Sequence, residues 1–90
     1  MGSGATRTFV VEHYWPDVTA DAFRASTEQV RAAAGELAGV RLLHATLVPQ
    51  DESAFCVFAA VSEQDVQAAY ARAGVRFERI VEALDDGEER

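Results

Sequence analysis

The segment Val40–Val61, VRLLHATLVPQDESAFCVFAAV, contains two largely apolar runs separated by Pro49–Glu52. Valine, threonine and phenylalanine favour strands, whereas proline followed closely by acidic residues is typical of a turn. The segment therefore predicts a β-hairpin with strands at Val40–Val48 and Ser53–Val61. The residues on either side of this hairpin determine which fold it belongs to.

One strand and one helix are predicted before the hairpin, and one helix and one strand after it. Thr8–Trp15 is rich in β-branched and aromatic residues and predicts the first strand. Thr19 is a candidate N-cap, and apolar residues follow it at helical spacing. After the hairpin, Ser62–Asp65 resembles a capping box for a helix that Gly74 ends, and Phe77–Leu84 predicts the last strand.

The predicted order βαββαβ is the split βαβ arrangement of ferredoxin-like domains, an α+β fold. Right-handed crossovers then give a four-stranded antiparallel sheet with two helices on one face and the first and third strands at its centre. We expect a single ferredoxin-like domain at 8–84, a flexible N-terminal leader at 1–7 and an acidic C-terminal tail at 85–90.

Apolar residues make up 49% of the 90 residues and lie on both faces of the predicted sheet. Every position of Ala54–Val61 is apolar, and in the preceding strand Leu42 and Leu43 point to opposite faces. Two helices cover only one side of such a sheet, and soluble monomers rarely expose a large apolar surface. We therefore expect a homodimer formed through the helix-free sheet face. The alternative to a dimer is that the helix-free face is only weakly apolar, because alanine occupies part of it.

The charge balance restricts the partners. Eight basic residues stand against fifteen acidic ones, for a net charge of −7. This argues against a nucleic-acid partner and against docking on an anionic membrane. The single cysteine excludes a disulfide within the chain, and the N-terminal residues do not resemble an export signal. We therefore expect a cytoplasmic protein.

Soft or titratable side chains suggest a transition-metal site. Imidazole and thiolate favour late first-row metals, and carboxylates complete their coordination. The chain has no local metal-binding motif, so a site has to be assembled across strands. The candidate ligands are His44, Cys56, Glu12, His13 and Glu82.

The register of the hairpin decides whether His44 and Cys56 share a site. If the numbers of paired residues add to an even total, the two side chains face each other about 5 Å apart. If the total is odd, they lie on opposite faces, and a four-residue turn gives an odd total. The alternative interpretations are an inert core cysteine and a half-exposed surface histidine.

A scattered pattern runs along the strands: Val10-Val11-Glu12 followed by an aromatic residue and Pro16, then His44, then Phe55-Cys56-Val57 leading into Ala60, then Arg79-Ile80-Val81-Glu82. This pattern resembles a family of small actinobacterial nickel-binding proteins, long catalogued as a domain of unknown function. The resemblance implies a ferredoxin-like fold, dimerisation and binding of nickel or another divalent transition metal. Glu12, His44, Cys56 and Glu82 match recurring positions of that family, whereas His13 does not. Tyr70 stands where many relatives have a histidine.

Two other functions remain open. Face-to-face ferredoxin-like dimers also resemble cofactor-free monooxygenases and cyclases of the dimeric α/β-barrel type, which bind an apolar metabolite between sheet and helices. In such an enzyme Tyr14, Trp15 and Tyr70 would shape the pocket, and His13 or His44 would act as general acid or base. The third possibility is a non-catalytic interaction or ligand-sensing subunit.

Overall fold

The computed structural model describes residues 6–84. The predicted acidic tail and residues 1–5 of the predicted leader lie outside this range. The elements in chain order are β1 (Arg7–Tyr14), α1 (Ala20–Gly35), β2 (Val40–Val48), a short 3-10 helix (Pro49–Asp51), β3 (Ser53–Ala60), α2 (Glu63–Ala73) and β4 (Arg79–Ala83). The first strand thus begins at Arg7, inside the predicted leader, and the last begins at Arg79 rather than Phe77.

The strands form one antiparallel sheet in the order β2-β3-β1-β4, which confirms the predicted α+β ferredoxin-like topology. Strands β1 and β3 lie at the centre, and both helices pack on the same face. No helix within residues 6–84 is long and apolar enough to span a membrane. The cytoplasmic location stays a prediction.

Local side-chain chemistry explains where the helices begin and end. The hydroxyl of Thr19 accepts the backbone N–H of Ala22 at 3.0 Å, and that of Ser62 accepts the N–H of Asp65 at 3.3 Å. Each bond satisfies an amide that the first helical turn leaves unpaired. Helix α2 ends at Gly74, whose φ of 70° lies in the left-handed region that favours glycine.

The core lies between the helices and the inner face of the sheet. Its inner-face residues come from the central strands and β2, and its helical residues from α1 and α2. The largest of them are Phe9, Val11, Leu42, Phe58, Val30, Val66 and Tyr70. The other face of the sheet, here called the open face, carries no helix from residues 6–84. Its half-buried apolar residues include Val10, Phe55, Val57 and Val81.

A β-bulge at Leu43 changes the register within the hairpin. Leu42 pairs with Phe58, so the residue numbers of this pair add to an even total. His44 pairs with Val57, and their residue numbers add to an odd total. The bulge accommodates one additional residue in β2, and Leu43 is 42% exposed there. Because paired residues share a face, the bulge places His44 on the open face and turns the next residue, Ala45, toward the helices.

We predict that Phe58→Ala lowers the free energy of unfolding by about 3–5 kcal/mol, because Phe58 is fully buried and its removal leaves a cavity. Leu43→Ala serves as the control and is expected to cost less than about 1 kcal/mol, since much of that side chain already contacts water. Urea denaturation measures both values. Equal losses for the two variants would contradict the described packing.

Candidate functional site

The five predicted metal ligands lie in three separate places. His13 and Cys56 are on the inner face, Glu12 and His44 are on the open face, and Glu82 is on the edge strand β4. Within residues 6–84, no group of three or more histidine, cysteine, aspartate or glutamate side chains is close enough to hold a metal ion. The described part of one chain therefore does not bring three of these donors together.

His44 and Cys56 do not share a site in one chain. His44 pairs with Val57, and Cys56 pairs with Ala45. Neighbouring residues of a strand point to opposite faces, so the imidazole and the thiol are separated by the sheet itself. The odd register is therefore the one adopted beyond the bulge.

The inner face holds a buried hydrogen-bonded cluster. Nε2 of His13 lies 3.0 Å from the hydroxyl oxygen of Tyr70, and the two ring centroids are 5.4 Å apart. The same hydroxyl interacts with the thiol of Cys56. Exposure is 8% for His13, 3% for Cys56 and 0% for Tyr70. We call these three residues the His-Tyr-Cys cluster.

Burial keeps the His-Tyr-Cys cluster uncharged. It lowers the pKa of His13 below its ordinary value, with nearby Glu78 and the backbone of Arg76 opposing the shift. It also raises the pKa of the Cys56 thiol and of the Tyr70 hydroxyl. A neutral thiol is a poor ligand, because the thiolate is the form that binds metals. Neutral buried groups of this kind favour hydrogen bonding over holding a cation.

Sequence reasoning assigned Tyr70 to a pocket wall and missed its contact with both His13 and Cys56. The rings of Phe58 and Phe77 pack edge-on against Tyr70, with centroids at 5.7 and 5.1 Å. The available signal was the position of Tyr70 on the apolar stripe of α2, which turns its side chain toward the sheet. The polar partners of the hydroxyl come from two distant strands and leave no local pattern.

On the open face, Glu12 and Arg79 form a two-point ion pair. The guanidinium donates from Nε and from a terminal nitrogen to the two carboxylate oxygens, at 2.9 and 3.1 Å. These bonds hold the pKa of Glu12 below its ordinary value. His44 is exposed on the same face, but strand β3 lies between the two residues. Glu12 pairs with Phe55 and His44 with Val57, so two strand spacings and an offset of two residues separate their backbones by about 12 Å.

Glu82 belongs to neither group. It pairs with Phe9 across the β1–β4 ladder, and its carboxylate lies 3.6 Å from Nε of Arg7. Both side chains are about half exposed, so this ion pair contributes little to stability.

A cavity of about 810 Å³ opens beside His13, between the N-terminal half of α1 and the segment that follows α2. Trp15 lines this cavity and also a void of about 10 Å³ that reaches Cys56. The remaining lining residues are Tyr14, Pro16, Ala22, Ala25, Ser26, Gln29, Gly74, Val75, Arg76 and Glu78. The cavity is therefore adjacent to the His-Tyr-Cys cluster.

These features define a small α+β domain of ferredoxin-like topology, with an open apolar sheet face and a cavity beside a buried histidine. The family model described as Nickel responsive protein SCO4226-like matches residues 9–83, and the chain belongs to this family. This confirms the resemblance drawn from the strand residues.

The crystal structure of SCO4226 from Streptomyces coelicolor A3(2) shares the fold, with a TM-score of 0.79. The two chains are 21% identical, and the match covers 89% of this chain and 99% of that one. No curated protein matches the sequence significantly.

We predict that Tyr70→Phe lowers the free energy of unfolding by about 1–3 kcal/mol, because the buried imidazole of His13 loses its partner while the ring packing remains. Tyr14→Phe is the matched control. Tyr14 is 59% exposed, so removing its hydroxyl is expected to change stability by less than about 0.5 kcal/mol. Urea denaturation near neutral pH measures both, and an unchanged midpoint for Tyr70→Phe would contradict the described bond.

Proposed function

We propose that this protein is a homodimeric nickel-binding protein whose metal site uses donors from the open faces of two copies. The family description, Nickel responsive protein, is the observation that carries the proposal. Two further observations support a shared site. One described chain contains no group of three donors, and the donors on its open face are directed away from its own core.

His44 is the principal ligand in this proposal. It is exposed on the edge strand β2, and the bulge at Leu43 directs it to the open face. Imidazole suits Ni²⁺ well, and an exposed ring reaches a metal without opening the core.

Carboxylate oxygen completes the proposed coordination, with Glu12 of the partner subunit as the favoured source. Arg79 uses one hydrogen-bonding site on each Glu12 oxygen, and a carboxylate has further lone pairs available. The lowered pKa of Glu12 keeps it ionised, which is the form that a cation binds. Glu82 is the less favoured donor, because its ion pair with Arg7 lies on the inner-face side of the edge strand.

The apolar character of the open face supports dimerisation. Phe55, Val57 and Val81 lie half-buried on this face without a covering helix. A two-fold symmetric contact buries the same patch on both copies, so one self-complementary surface is sufficient.

In this proposal His13 and Cys56 do not bind the metal. Both side chains are buried, His13 is hydrogen-bonded to Tyr70, and a cation placed between His13 and Cys56 would have to displace Tyr70. Burying a charge there without compensating partners is costly.

We predict that His44→Ala weakens nickel binding at least about ten-fold, because the ring supplies a direct bond to the metal. Isothermal titration calorimetry with Ni²⁺ and tag-free protein measures the affinity. Cys56→Ala is the control and is expected to bind nickel as the unaltered protein does. Nickel binding that survives His44→Ala, or that is lost in Cys56→Ala, would overturn the assignment.

We also predict that Val57→Asp converts the dimer to a monomer, because it places a charge at the centre of the apolar contact. Sedimentation velocity over a range of protein concentrations measures the state. Ala32→Asp, on an exposed position of α1, is the control and is expected to remain dimeric. A monomeric unaltered protein, or a dimeric Val57→Asp variant, would contradict the proposed interface.

A further inference from the structure

We propose that the cavity beside His13 is a binding site for a neutral, hydroxylated aromatic molecule. This site lies on the inner side of the sheet and involves neither His44 nor Glu12, so it does not depend on the proposed nickel site. Its volume of about 810 Å³ falls within the range of about 300–1,000 Å³ that is usual for small-molecule pockets.

The shape of the cavity favours a flat ring. Ala22, Ala25 and Ser26 lie at helical spacing on the face of α1 that lines it, and their short side chains leave space beside the helix. Trp15 supplies a half-buried aromatic surface in the same cavity. Its backbone is held at the end of β1 by a 2.7 Å bond from its N–H to the carbonyl of Glu52. A ring beside the indole would gain stacking and apolar contact.

The polar lining favours a hydroxyl group. Nε2 of His13 is already bonded to Tyr70, which leaves the carboxylate of Glu78 and the guanidinium of Arg76 as the charged groups facing the cavity. Neither forms an ion pair within residues 6–84. An aromatic hydroxyl donates a hydrogen bond to a carboxylate and accepts one from a guanidinium, so a single group satisfies both.

The same two side chains select against charged ligands. Their charges cancel, so the cavity attracts neither an anion nor a cation overall. A ligand carboxylate that Arg76 attracts would be repelled by Glu78, and a ligand ammonium that Glu78 attracts would be repelled by Arg76, whereas a neutral hydroxyl bonds to both side chains without repulsion. Glu78 is fixed near His13 by the 2.7 Å bond from its backbone N–H to the carbonyl of Glu12, which continues the β1–β4 pairing. The backbone position of Glu78 thus follows from the sheet.

The test is a titration of the full-length chain with 2-naphthol and with 2-naphthoate at pH 7, followed by NMR. The indole N–H of Trp15 is the reporter, because the sequence contains one tryptophan. We expect 2-naphthol to shift this resonance and to bind at least about ten-fold more tightly than 2-naphthoate, which corresponds to about 1.4 kcal/mol. Equal or tighter binding of 2-naphthoate, or an unmoved indole resonance, would overturn the proposal.

Two variants locate the site. Ala25→Phe fills the cavity and is expected to weaken 2-naphthol binding at least about ten-fold, whereas Ala32→Phe, exposed on α1 outside the cavity, is expected to have no effect. Glu78→Gln removes the charge that repels a ligand carboxylate. We expect it to reduce the preference for 2-naphthol over 2-naphthoate to less than about three-fold. Undiminished binding by Ala25→Phe, or an unchanged preference in Glu78→Gln, would contradict the site.

Discussion

The hydroxyl of Tyr70 is the contact on which the interior of this domain depends. It bonds helix α2 to the central strand β1 through His13 and lies near the thiol of Cys56 on β3, while the ring packs against Phe58 and Phe77. Apolar packing alone tolerates sliding of a helix over a sheet, but a buried hydrogen bond that would otherwise be unsatisfied fixes its position. Within residues 6–84, no buried side-chain nitrogen or oxygen lacks a hydrogen-bond partner.

The two faces of the sheet carry side chains of different chemical character. The inner face combines neutral, hydrogen-bonded groups with a cavity, and therefore favours an uncharged ligand. The open face combines an exposed imidazole with a carboxylate that Arg79 keeps ionised, and these are the donors of the proposed nickel site. The proposed nickel site and the proposed ligand site thus occupy different environments of one small domain. Neither requires the other to be occupied.

Much of this architecture could be predicted from the sequence, because caps, turns and strand patterns are local signals. Thr19, Ser62 and Gly74 mark helix ends by their own chemistry, and the run at Ala54–Val61 marks a central strand. The bulge carried no such signal, since it falls between Leu42 and His44 without a glycine or proline. The residue types indicated candidate metal donors. Whether those donors lie close together depends on the strand register and on contacts such as that of Tyr70. Tyr70, for example, bonds to His13, which lies 57 positions away in the chain.

The additional residue of β2, which forms the bulge at Leu43, could instead be accommodated in the turn of the hairpin. The two arrangements are isomeric hairpins of identical composition. In the alternative isomer His44 would face Cys56, and Thr46 would also turn toward the helices. Burying that hydroxyl and imidazole without partners is costly, whereas the observed isomer buries Ala45 in their place. The position of this one additional residue in the hairpin therefore determines how far the imidazole of His44 lies from the thiol of Cys56.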